Sequence, residues 1–119
     1  MSALNTFGAI LTFAIELEGQ IADYYREIGS PRAADVDKRR SNLERVRREN
    51  VTEIKLEPIE GLDEADYALN LADTSAAGQQ AIEATAARFY ADTAPKLNVR
   101  EAQRALERAG KQHAELAAG

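Results

Sequence analysis

The chain contains no cysteine and a single histidine in 119 residues. Without thiols there are no disulfides, no thiolate metal sites, no cysteine nucleophile and no rubredoxin-type iron centre within this chain. No phosphate-binding glycine loop, Ser-His-Asp set or zinc motif is present either. With one histidine, little remains from which to assemble catalysis, and no catalytic residue is assigned. Long apolar runs are also missing. The longest, Phe7 to Ile15, is broken by Thr12 and followed by Glu16 and Glu18, too short to cross a bilayer. No Lys or Arg precedes it and no small-residue cleavage site follows, so no signal peptide is expected and a cytoplasmic location is. Aromatic residues make up only 6 %, and β-branched runs are scarce.

What is abundant is Ala, Leu, Glu, Arg and Gln, all good helix formers. The length fits one domain with a real core, spanning 1–119. The net charge of −5 argues against a general role on nucleic acid. The second helix does carry Lys38, Arg39, Arg40, Arg45, Arg47 and Arg48. Asp35, Asp37, Glu44 and Glu49 are interleaved among them, and the aromatic platforms of single-strand binders are absent. This face reads as solvated and braced by i,i+4 ion pairs.

Apolar spacing predicts an all-α, antiparallel four-helix bundle built from two helical hairpins and a long crossover. The first seam reads Leu4, Phe7, Leu11, Ala14, Glu18, Ile21, Tyr25, Ile28, with steps alternating three and four. This helix is expected over about 3–28 and ends at Gly29-Ser30-Pro31. Ser30, or Asp35 a turn later, can cap the second helix. The second seam reads Val36, Leu43, Val46 or Arg47, Asn50, Ile54, with the hairpin closing near residue 55. Pro58, Gly61 and the acids around Asp63 mark a crossover over about 56–73, long enough to return the chain along the bundle. The second hairpin covers about 74–117. Its seams are Ala76, Gln79, Glu83, Ala86, Tyr90, Thr93 and then Val99, Ala102, Leu106, Ala109, His113, Leu116, with Asn98 as a cap.

The halves repeat. Glu18-x3-Ala22-x-Tyr24-Tyr25 matches Glu83-x3-Ala87-x-Phe89-Tyr90 at an offset of 65, and Leu43-Glu44-Arg45 matches Leu106-Glu107-Arg108 at 63. The second offset sets Asn50 opposite His113 and Arg47 opposite Gly110. The four seams thus place Glu18, Asn50, Glu83 and His113 at equivalent positions where an apolar residue belongs. A buried carboxylate is costly unless it is paired, protonated or metal-bound. Tyr25 and Tyr90 each follow a seam glutamate by seven residues, nearly two turns, and share its face. They are either core aromatics or partners of the acids.

This pattern resembles the ferritin-like superfamily, and its rubrerythrin-like branch most closely, over nearly the whole chain. The family's first and third helices each carry a Glu followed seven residues later by an aromatic. Its second and fourth helices carry Glu-x-x-His, and the six ligands hold two iron or manganese ions. The resemblance implies Glu18, Glu83 and His113 as metal ligands, with Tyr25 and Tyr90 beside them. It also implies a damaged site. Arg47 and Gly110 stand where the two bridging glutamates belong, and Asn50 replaces a histidine. A slip of one turn would bring Glu49 or Glu53 inward, although Glu49 lies off the apolar stripe. Arg47 is expected either to pair with Glu18 or Glu83 in place of a cation, or to extend to solvent. His113 is either a hydrogen-bonded core residue or a ligand to one ion.

The expected function is therefore a structural or partner-binding role without a cofactor. The alternatives are iron or another divalent metal held in an altered site, and a small molecule held beside Tyr25 and Tyr90. Ile10, Phe13, Ile82 and Phe89, read as lying on outer faces, suggest a homodimer.

Overall fold

The computed structural model describes residues 4–50 and 59–119. Four α-helices form a bundle: α1 (Phe7–Glu27), α2 (Arg32–Asn50), α3 (Ala76–Thr93) and α4 (Arg100–Ala117). Helices α1 and α2 pack as one hairpin and α3 and α4 as the other, and α2 meets α4 across the two. Among the described residues no helix is long and apolar enough to cross a membrane.

The helix ends follow local chemistry. Helix α1 starts at Phe7, later than the seam suggests, because the Thr6 hydroxyl accepts from the Ala9 amide at 3.0 Å and fixes the cap there. It ends into Gly29, whose φ of +69° is the left-handed conformation that glycine adopts freely. Ser30 Oγ then accepts from the Arg32 amide at 3.2 Å. Helix α2 is already under way at Asp35, which is therefore not its cap. Ser75 caps α3 through the Gly78 amide. Asn98 does not cap α4: the cap position is Val99, which makes no side-chain bond. The expected continuation of α2 to residue 55, with Ile54 in its seam and Glu53 as a substitute acid, lies outside the described residues.

The seams are buried as their spacing predicts, with few exceptions. Ala76 is exposed and Gly78 takes the interior position, while Ile28, Gln79, Val99 and Leu116 are half-buried. The core is wider than the seams. Ile10, Ile82 and Phe89 are buried, and Phe13 is half-buried against them. The crossover explains this. A 3₁₀ turn over Glu64–Tyr67 buries Tyr67, whose ring lies 5.2 Å from Phe89 and 6.4 Å from Phe13. Its hydroxyl donates to Asp92 at 2.6 Å. Further along, the Asp73 carbonyl accepts from Tyr24 at 2.7 Å. The face carrying Phe13 and Phe89, read from sequence as outward, is thus covered by the chain's own crossover. Leu71 is the one large hydrophobic residue exposed among those described.

A candidate ion cluster in the bundle interior

Glu18 and Glu83 face each other from α1 and α3, and His113 reaches them from α4. All three are fully buried. His113 Nε2 lies 2.8 Å from Glu18 Oε2 and 3.1 Å from Oε1. Its other nitrogen, Nδ1, hydrogen-bonds Glu83 Oε2. Each carboxylate also accepts from a tyrosine of the opposite hairpin. Tyr25 donates to Glu83 at 2.6 Å, and Tyr90 donates to Glu18 at 2.5 Å. The two hairpins therefore exchange the same bond in both directions. The Tyr90 ring also stacks on the His113 imidazole, with an interplanar angle of 9°. Both sequence readings of the tyrosines hold at once: their rings belong to the core and their hydroxyls bond the acids.

Imidazole carries a proton on both nitrogens only as the cation. An imidazole that donates from both nitrogens, one to each carboxylate, is therefore an imidazolium. Burial by itself would lower the His113 pKa. Hydrogen bonds to Glu18 and Glu83 outweigh that effect and raise it above 6.5. Burial would likewise raise Glu18. The His113 bond and charge, the Arg39 charge and the Tyr90 hydroxyl together lower it below 4.5. Tyr25 is pushed up to about 12, first by burial and then by its bond to Glu83. Tyr90 rises well above 10.0 through burial and the charge of Glu18.

The second positive charge comes from Arg39. Its Nε donates to Glu18 Oε1 at 3.1 Å, and the side chain is only 8 % exposed. Its Nη1 donates to Gln112 at 2.6 Å. Two carboxylates face two cations, and the cluster is neutral without an ion from outside.

Arg39, which sequence reasoning missed, takes the role expected of Arg47. Among the described residues no ion pair joins Arg47 to Glu18 or Glu83. Arg47 is half-buried and its Nε has no acceptor. It sits two turns beyond Arg39, nearer the far end of α2. The second seam held the missing signal: from Val36 it jumped seven residues to Leu43, and the step between falls on Arg39 or Arg40. Asn50 is also outside the cluster. It is buried, but it donates to the Val46 carbonyl at 2.8 Å and to Glu101 at 3.2 Å. Glu49 is exposed and bound to Arg45 at 2.7 Å, as i,i+4 pairing predicts, and does not turn inward.

The residues present do not fit the two-ion centre that the resemblance implies. Such a centre needs carboxylates bridging the cations. Here Gly110 stands at one bridging position, and a Cβ there would lie 2.8 Å from Tyr90 Cβ, so no larger side chain enters without moving α3 or α4. Both His113 nitrogens are committed to carboxylates. With His113 bonded to both acids, no group of three or more Asp, Glu or His side chains among the described residues is arranged to hold a metal ion as it stands. No protein-family model, no characterised protein and no solved structure matches the chain.

Proposed function

We propose that this chain is a ferritin-like bundle in which an internal ion cluster replaces the metal pair, and that it acts as a structural or partner-binding protein. The observation that carries the reading is His113 held between Glu18 and Glu83, one ring nitrogen to each, with Arg39 supplying the remaining charge. The cluster ties all four helices and both hairpins together and leaves its carboxylates with partners. Buried networks of this kind favour one arrangement of a core, because breaking any pair strands a buried charge. The Glu18–Tyr25 and Glu83–Tyr90 spacing and the place of His113 support the ferritin-like reading. A cytoplasmic location and a homodimer belong to the same proposal. The dimer has lost its apolar argument, since Ile10, Ile82 and Phe89 are inside.

One observation favours a second reading. Glu18, Glu83 and His113 already converge, and deprotonation of His113 would free a nitrogen for one divalent ion. Metal analysis of protein purified without chelator, before and after incubation with Fe(II), Mn(II) or Zn(II), separates the two. The first reading expects far less than one ion per chain and an unchanged melting temperature. Stoichiometric metal that disappears in Glu18→Ala or His113→Ala overturns it in favour of the second.

A further inference from the structure

A groove of about 490 Å³ runs between α2 and α4, on the outer side of Arg39. We propose that it binds a small organic anion with an apolar body and a single carboxylate. Its volume falls in the range of small-molecule sites. Val36, Leu43 and Ala109 give it an apolar floor. Arg32, Lys38, Arg39 and Arg108 line it as cations, against Asp35 and Glu115 as acids. A chain of net charge −5 thus gathers positive charge at one place.

The cations are incompletely used. Lys38 and Arg108 have no ion-pair partner among the described residues. Arg39 Nη2 is buried without an acceptor, although its Nε and Nη1 are both bonded. A buried donor left unpaired costs free energy, and a carboxylate oxygen is a strong, charge-assisted acceptor for the single nitrogen that remains. Charge count selects a monoanion. Arg39 already balances Glu18, so Arg32, Lys38 and Arg108 against Asp35 and Glu115 leave one excess positive charge. The floor selects an amphipathic ligand over a bare oxyanion. Nucleic acid is not favoured, because the groove contains no aromatic ring for a base to stack on.

The test is titration of the ¹⁵N-labelled full chain with sodium octanoate, followed by amide shifts, with octan-1-ol and inorganic phosphate as comparisons. Octanoate should produce saturable shifts centred on Val36, Leu43, Ala105 and Ala109. Arg108→Glu and Lys38→Glu, both at exposed positions, should each weaken it by about tenfold while leaving the circular dichroism spectrum unchanged. Octanol and phosphate should not saturate. The proposal is overturned if octanoate fails to saturate by about 10 mM, a generous limit for a specific site. It is equally overturned if the shifts centre elsewhere, if octanol or phosphate binds as tightly, or if neither charge reversal weakens binding. The two reversals are independent, so one misfolded variant leaves the other to decide.

Discussion

Arg39 Nε lies 3.1 Å from Glu18 Oε1, linking the middle of α2 to the bundle interior across a separation of 21 residues. Removing one partner of a buried pair leaves the other charge uncompensated, which costs about 3–5 kcal/mol where burial is complete. Arg39→Ala should therefore destabilise the fold by about 3 kcal/mol. Arg47→Ala, which breaks no ion pair to either acid, should cost about 1 kcal/mol or less. Urea denaturation of the two variants measures the contrast. Equal losses would reject Arg39 as the compensating cation.

The reciprocal bonds of Tyr25 and Tyr90 predict matched consequences. Each Phe substitution removes one hydroxyl donor from a buried carboxylate and retains the ring. Tyr25→Phe and Tyr90→Phe should each cost about 1–3 kcal/mol, as expected for an acceptor losing a hydrogen bond in the interior. Tyr25→Phe should be the larger, because it also removes the acceptor of the Arg32 bond at 3.3 Å and leaves Glu83 bonded to His113 alone among the described residues, whereas Glu18 keeps both His113 and Arg39. Chemical denaturation checks both magnitude and order.

Opposite shifts of Glu18 and His113 set a pH window. The folded pKa of His113 is raised above 6.5, so its contribution is fully present below about pH 6.5 and is lost as pH rises through the raised value. The folded pKa of Glu18 is lowered below 4.5, so its contribution is present above about pH 4.5 and is lost as pH falls through the lowered value. Stability from the cluster should peak between these limits. On the alkaline side, a neutral imidazole satisfies only one of the two carboxylates as a donor. Melting temperature against pH should fall above the raised His113 pKa in the wild type. That fall should be absent in His113→Gln, which is uncharged at every pH.

Most of this cluster is legible in the sequence. Glu18, Glu83 and His113 sat in apolar seams where a polar residue is expensive, and the seven-residue spacing to Tyr25 and Tyr90 put each ring on its acid's face. Arg39 was hidden because a run of two arginines, Arg39 and Arg40, interrupts the α2 seam. Periodicity does not say which of two adjacent charged residues turns inward. Asn50 lined up with His113 by offset, but it lies in the last described turn of α2, where its amide bonds the Val46 carbonyl and Glu101 and not the acids. The burial of Phe89 depended on Tyr67, whose ring packs against it. That residue belongs to the crossover and has no helical period to announce it.

Gly110 carries a prediction opposite in sign to helix propensity. Replacing glycine by alanine within a helix ordinarily gains about 1 kcal/mol. At residue 110 the new methyl group would approach Tyr90 Cβ to 2.8 Å, next to the backbone of α3, and neither atom is the free end of a flexible chain. Overpacking of this kind costs about 1–3 kcal/mol. Gly110→Ala should therefore lower the melting temperature and perturb the Tyr90–Glu18 bond, visible as a change in near-ultraviolet circular dichroism. A more stable variant would show that α3 and α4 are not held this close.

The protonation state of His113 tests the account most directly. Long-range ¹H–¹⁵N spectra of the single imidazole at about pH 6 should show both ring nitrogens protonated, since each donates to a different carboxylate. Those signals should remain unchanged when Fe(II), Mn(II) or Zn(II) is added. One unprotonated nitrogen, or a signal displaced by metal, would contradict an interior closed by its own charges.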